Sequence, residues 1–197
     1  MSDCVPPIHP GVGFILLAAG QGKRFGRDKL TQDFRGQPLW SWVALAAEEA
    51  GFAQRYIVSG PHSTIRARSG WQAVINSRAA AGMGPSIAAG VRAAPDCSRV
   101  VIALADMPLV EPAHLRLLAE SAGPVFTRYA SGVEGPPAGF PRSVFDRLCA
   151  LQGEAGARSL GLPDATAIAP ASAAALADID TPEDLLALSS RHTAGRR

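Results

Sequence analysis

Lys23, Arg24, Arg27 and Lys29 crowd a short stretch that also holds Gly20, Gly22 and Gly26. Glycines let a backbone approach a bound group closely, and clustered cations neutralise charge. The stretch therefore fits either a solvated turn or the cradle of a polyanion. Known spacings narrow the second choice. The dinucleotide fingerprint GxGxxG is met at Gly20 and Gly22, but Phe25 stands where the third glycine belongs. The loop GxxxxGK[ST] fails because Arg27 and Asp28 follow Gly26. What is left is a glycine loop suited to a triphosphate, with Arg24 and Lys29 supplying charge that backbone amides alone cannot.

A second feature is acidic. Asp106 closes "RVVIALAD", and a carboxylate ending a buried strand is costly unless a cation or hydrogen-bond donors compensate it. Mg²⁺ is one natural partner, since it takes one or two carboxylates together with phosphate oxygens. Backbone amides at a helix start are the other. In "ADIDTPEDL", Asp180 offers a second carboxylate for a cation, and Asp178 reads as an ordinary loop residue. Ser86 in "GMGPSIAAG" resembles half a nucleophile elbow, but GxSxG needs glycine where Ala88 stands. His9, His62, His114 and His192 all fall away from strand ends, which argues against a Ser-His-Asp triad.

Such residues need elements to hold them. "GFILLA" and "RVVIAL" are apolar without alternation, as in strands buried on both faces, and "QRYIVSG", "WQAVIN" and "GPVFTRYA" are further strands. Helices are expected over "PLWSWVALAAEEAG", from Pro61 to about Arg68, over "GPSIAAGVRAA", "AHLRLLAES" and "RSVFDRLCALQG". "EGPPAGFP" reads as irregular, and a late strand is expected within residues 165–178. Thr181 and Pro182 then open the last helix as N-cap and first residue. Strands alternating with helices predict a mostly parallel sheet covered on both faces, with ligands at the carboxyl ends of the strands. The glycine loop and Asp106 both fall at such ends.

The 197 residues suit one domain, here residues 13–190, between a loose arm (1–12) and a basic tail (191–197). A net charge of +2 gives no basic face for duplex nucleic acid, so no nucleic-acid partner is expected. Cys4, Cys97 and Cys149 form no CxxC pair, which fits a reducing compartment. No signal-peptide pattern or membrane span is legible, so the expected location is cytoplasmic, away from membranes.

Taken together, "LAAGQGKRFGRDK", "GMGPSIAAG", "LADMPLV" and "DIDTPEDL" resemble the MobA-like nucleotidyltransferases over about residues 13–190. The first stretch is similar to that family's LAAG-x-x-x-R-[FM]-G-x-x-K loop. "PPAGFPRSVFDRLCALQGEAGAR" resembles the molybdenum cofactor cytidylyltransferase (MocA-like) branch, with its G-P-P…F-P…L…L-x-G-D-x-G-A-R stretch. The resemblance implies a Rossmann-like three-layer α/β/α sandwich of the nucleotide-diphospho-sugar transferase type. It implies transfer of a nucleoside monophosphate from an NTP to a phosphate-bearing acceptor, with CTP and molybdopterin favoured and a molybdoenzyme as a further partner. Leu17, Ala19, Gly20, Gly22, Asn76, Gly82 and Ser86 would line the nucleotide, and Arg24 and Lys29 would hold its triphosphate. Asp106 and Asp180 would hold Mg²⁺, making Arg24, Lys29 and Asp106 the catalytic set. Glu154, Gly156 and Arg158 would face the acceptor.

The chain departs from the branch at two points. "GMGPSI" stands where G-M-S-S-S-L is usual, which is closer to the guanylyltransferase G-P-L-A-G, and "GEAG" replaces GDxG. "AAG" in the first loop, rather than "AGG", favours cytidine. Guanylyl transfer, transfer to another phosphorylated metabolite, and a non-catalytic nucleotide or cofactor chaperone are the rival readings.

Overall fold

The computed structural model describes residues 7–20 and 29–190. One seven-stranded sheet spans it, built from β1 (Val12–Ala18), β4 (Gln54–Ser59), β5 (Gln72–Ile75), β6 (Arg99–Leu104), β7 (Val125–Arg128), β8 (Glu134–Pro141) and β9 (Thr166–Ile168). Its order is β5-β4-β1-β6-β8-β7-β9, and a separate hairpin pairs β2 (Asp33–Phe34) with β3 (Gln37–Pro38). β8 runs antiparallel to both of its neighbours, and the other pairings in the large sheet are parallel. The mostly parallel α/β sandwich expected from the sequence is what forms.

Every residue of β1 is buried, as a central parallel strand covered on both faces requires. On one face α1 (Leu39–Ala50), α3 (Pro112–Glu120) and α5 (Pro182–Ser190) accompany a core that includes Phe14, Leu16, Val43 and Leu115. On the other, α2 (Met83–Arg92) and α4 (Phe145–Cys149) cover Ile15, Val58, Ile87 and Phe140. α2 lies close to the sheet because Gly90 has no side chain: a Cβ there would come within 2.5 Å of Ile15 Cγ2. α1 ends at Gly51, whose φ of 91° is the left-handed cap that glycine accommodates. From the expected arm, Ile8 is buried and its N–H donates to the Gly51 carbonyl.

Three local expectations change. No helix forms from Pro61 to Arg68, because Ser63 Oγ accepts from the Ile65 N–H and diverts the backbone into a turn. The segment has a single buried apolar anchor, Ile65, and no helical stripe to repay an extra turn. The helix expected over 142–153 shrinks to a 3-10 turn, Arg142–Val144, followed by α4. The late strand expected within residues 165–178 forms as β9. Finally, "EGPPAGFP" is a strand despite its prolines, which lack the N–H of a ladder. The sheet accommodates them by a register shift opposite Phe126 and Thr127, and side chains serve the stranded carbonyls. Thr127 Oγ1 donates to Pro137 O at 2.6 Å, and the Tyr129 hydroxyl to Pro136 O at 2.6 Å.

Candidate active site

The chain leaves β1 for β4 and β5, then returns across β1 to form β6 on its other side. The sheet order therefore reverses between β1 and β6, and the crevice at the carboxyl ends of those two strands is where such sheets bind ligands. A cleft of about 440 Å³ opens there. β1 delivers Leu17, Ala19 and Gly20 to it, β6 and its following turn deliver Leu104 and Asp106, and α2 delivers Gly82, Met83 and Ser86. Lys29, Glu154 and Asp180 complete the polar lining. A Cβ at Gly20 would meet no atom of the described residues within 4 Å.

Lys29 is the electrostatic centre of the cleft. It starts a short 3-10 turn, Lys29–Thr31, whose Leu30 is anchored in the core. Its Nζ donates at 2.9 Å to each of Asp106 Oδ2, Asp180 Oδ1 and the Ile179 carbonyl. Burial pulls its pKa down, but the charges and hydrogen bonds of Asp106 and Asp180 outweigh this and raise it, so the ammonium stays charged.

Asp180 is placed by a capping box at the start of α5. Thr181 Oγ1 accepts from the Asp184 N–H, while Asp184 Oδ2 accepts from the N–H groups of Asp180 and Thr181. Asp184 Oδ2 also accepts from the Thr181 hydroxyl at 2.8 Å, and this bond, with that from the Thr181 N–H, holds the Asp184 carboxyl below its usual pKa. The preceding residue, Ile179, is fully buried, and its N–H donates to the Asp106 carbonyl at 3.0 Å. The Thr181–Pro182 helix start read from the sequence thus fixes the carboxylate beside it.

Asp106 Oδ1 is buried and has no hydrogen-bond partner among the described residues. An anionic oxygen left so is expensive. The other oxygen of Asp106, Oδ2, converges with Asp180 Oδ1 on Lys29 Nζ, and this pair offers hard oxygen donors that fit Mg²⁺ or a similar divalent cation. Among the described residues no set of three His, Cys, Asp or Glu side chains is disposed to hold a metal. Asp178 belongs to the same neighbourhood. Burial raises its pKa, its own backbone bond opposes this, and the Asp180 and Asp106 charges raise it further. Tyr129, which sequence reasoning missed, is pushed up to about 12 by burial and then by the Asp178 and Asp106 charges.

Gly22 and Arg24, with their neighbours Lys23 and Arg27, lie outside the described residues. Asn76 is absent from the cleft lining. It is buried, its amide donates to Ser86 Oγ at 2.9 Å, and its Oδ1 accepts from the Arg78 N–H. Both ends of the amide are engaged, so Asn76 positions Ser86 from behind. Ser86 in turn has an amide as its partner where a nucleophilic serine needs a base.

Gly156 and Arg158 line a second hollow of about 200 Å³, whose wall includes Phe126, Pro136 and Phe140. Pairing of β6 with β8 runs no further than Ile102 opposite Ala138, and the hollow occupies the splayed region beyond. Leu17, Met83 and Leu104 border both spaces, so cleft and hollow adjoin. Glu154 lies on the cleft side. Met83, the shared wall, was not singled out in the sequence, although it lies inside "GMGPSI".

The two departures noted in the sequence meet in space. A Cβ on Gly84 would fall 2.7 Å from Gln152 N, and one on Gly82, already at φ +113°, would fall 2.3 Å from Gly153 O. The start of α2 and the Gln152–Glu154 loop pack backbone to backbone, which leaves no room for a serine at position 84.

Fold and cleft define an α/β sandwich of the nucleotide-diphospho-sugar transferase type. More particularly, the chain belongs to the MobA-like NTP transferase domain family, whose model matches residues 14–167. Purine catabolism protein PucB of Bacillus subtilis is 30% identical over 188 residues, spanning 86% of this chain and 92% of that one. The structure of Rv0371c from Mycobacterium tuberculosis in complex with manganese is 26% identical with a TM-score of 0.70, covering 91% of this chain and 98% of that one. Molybdopterin-guanine dinucleotide biosynthesis protein A from Archaeoglobus fulgidus shares the fold, at 20% identity and a TM-score of 0.67, over 92% of this chain and 98% of that one. No helix among the described residues is long and apolar enough to cross a membrane.

Proposed function

We propose that this protein transfers CMP from CTP to the terminal phosphate of molybdopterin, with release of pyrophosphate. The observation that carries this reading is one cleft bordered by Gly20, Lys29, Asp106 and Asp180 that adjoins a separate, largely apolar hollow. A nucleotidyl transfer needs two such compartments, one for the nucleotide and one for the acceptor. The family assignment supports the NTP, and the cytidylyltransferase-like stretch from Pro136 to Arg158 supports the base and the acceptor.

In the reaction an acceptor phosphate oxygen forms a bond to the α-phosphorus of CTP while the bond from that phosphorus to the α,β-bridging oxygen breaks. No protein nucleophile is needed, and no base either, since a phosphate monoester is already ionised at neutral pH. The chain's contribution is therefore positioning and charge. Leu17, Ala19, Gly82 and Ser86 shape the base and ribose side, and Arg24 and Lys29 take the phosphates. Asp106 and Asp180 hold a divalent cation, for which Mg²⁺ is the natural choice and the manganese complex of the Rv0371c relative is a parallel. That cation, when bound, neutralises charge building on the phosphate oxygens. Glu154, Gly156 and Arg158 hold the acceptor, with the apolar wall of the hollow against its ring system.

Pyrophosphate release measured with CTP, GTP, ATP and UTP, each with and without molybdopterin, tests this. Release is expected with CTP, and only when molybdopterin is present. Release with GTP alone among the four would overturn the cytidylyl assignment, and release without molybdopterin would overturn the acceptor.

A further inference from the structure

The Lys29 ammonium has three N–H bonds to give and three acceptors at 2.9 Å, so it is saturated, and its side chain is only 10% exposed. Two of those acceptors are Asp106 Oδ2 and Asp180 Oδ1, the converging oxygens of the two carboxylates that fit a divalent cation. Mg²⁺ binds oxygen at about 2.0–2.1 Å. An ion taking both oxygens would overlap the position of Nζ, and the two cations would repel each other strongly in so confined a space. Lysine and metal are alternatives at this pair of oxygens.

We infer that Lys29 is a place-holding cation that controls access to the metal site. With no nucleotide present it neutralises Asp106 and Asp180 and excludes a divalent ion. An incoming triphosphate draws the ammonium away and frees the carboxylates for the ion that the nucleotide carries. The inference rests on the assignment of Asp106 and Asp180 as metal ligands and adds an order of events: the cation enters with the nucleotide and not before it. The geometry supplies a reason for the swap. Lys29 bonds one oxygen of Asp106, while Oδ1 is buried with no partner among the described residues, so within them the resting arrangement is incompletely satisfied.

Mn²⁺ alone is the probe, titrated without nucleotide and followed by electron paramagnetic resonance of the free ion. Wild-type protein is expected to bind it weakly. Lys29→Met, with no competing charge, is expected to bind about tenfold more tightly or better, and Mn²⁺ should raise the melting temperature of the variant more than that of the wild type. Adding Asp106→Asn to Lys29→Met should abolish the gain. Equal affinity in wild type and Lys29→Met would overturn the inference. If Asp106→Asn alone nevertheless removed the wild-type binding, the metal assignment would survive and only the place-holding role would fall. A gain in Lys29→Met that persists in the double variant would overturn both. Should two bare carboxylates prevent Lys29→Met from folding, Lys29→Gln keeps a donor, removes the charge, and is held to the same outcomes.

Discussion

Replacing Gly84 by alanine tests whether the cleft is held together by the backbone contact between the start of α2 and the Gln152–Glu154 loop. The new Cβ would lie 2.7 Å from Gln152 N and 2.9 Å from both Gln152 C and O, and these are backbone atoms that cannot rotate aside. The Gly84 N–H also donates to Gly153 O at 3.0 Å, a bond that any separation of the two segments lengthens. Relieving the overlap costs about 1–3 kcal/mol, and weakening the hydrogen bond costs about 1 kcal/mol more. Against this, alanine gains about 1 kcal/mol over glycine in helix preference. The balance is a loss of about 2 kcal/mol, which for a chain of this size lowers the melting temperature by roughly 4–8 °C.

The loop that must give way carries Glu154 into the cleft, so the same substitution should raise the acceptor KM in the pyrophosphate-release assay. Gly20→Ala is the matched control for stability, because its Cβ meets no atom of the described residues within 4 Å and it should melt with the wild type. If Gly84→Ala melts at or above the wild-type temperature with unchanged acceptor KM, the loop yields freely and the packing argument is wrong.

Three further outcomes are expected. Asp106→Ala removes the buried carboxylate and should lower turnover by at least about a hundredfold while the fold, read by circular dichroism, is retained; unchanged turnover would remove Asp106 from the catalytic set. Arg99→Met should cost about 2–4 kcal/mol in urea denaturation, because the buried guanidinium, whose pKa burial lowers to about 10, donates to the carbonyls of Leu118 at 2.9 Å and Gly123 at 3.0 Å, which methionine would leave unserved; a loss under 1 kcal/mol, by about the net worth of one bond, would show that water replaces it. His114 is buried with Nε2 2.7 Å from Thr127 Oγ1, and burial holds its pKa below the ordinary 6.5. The unfolded chain therefore takes up the proton first, and the stability contributed by neutral His114 is present above pH 6.5 and lost as pH falls through that value towards the folded pKa. Melting curves from pH 7.5 to 5 should show that decline, and His114→Asn should flatten it.

The parts of the fold legible in the sequence are those where local and tertiary demands agree. β1, and β6 after its first residue Arg99, are apolar because they are buried, and Thr181 caps the start of α5, its hydroxyl satisfying the orphan Asp184 N–H. β8 was illegible for the opposite reason. Pro136 and Pro137 contradict a strand locally, and only Thr127 and Tyr129 on the neighbouring segment make their carbonyls tolerable. The short helix expected after Pro61 fails because a helix start without an apolar stripe has nothing to pack.

The site divides along the same line. Residue types and strand ends were enough to single out Lys29, Asp106 and Asp180 separately, each with its own charge to satisfy. The resemblance paired Asp106 with Asp180, but their joint contact with Lys29 was not legible, because it depends on Ile179. Alternation along Asp178-Ile179-Asp180 turns the isoleucine into the core and the carboxylates outward. The Ile179 N–H then locks that segment to the Asp106 carbonyl, and its own carbonyl accepts from Lys29. A hydrophobic residue thus brings two carboxylates to a single ammonium. The same backbone contact explains why either carboxylate alone would be an ordinary loop residue, and why the pair together can exchange a lysine for a divalent ion. Ile179→Ala should accordingly loosen the site without touching any charged group. Its expected signature is a lower melting temperature together with weaker Mn²⁺ binding in the Lys29→Met background. A variant that melts early yet binds Mn²⁺ as tightly as Lys29→Met would show that the carboxylates converge without the isoleucine.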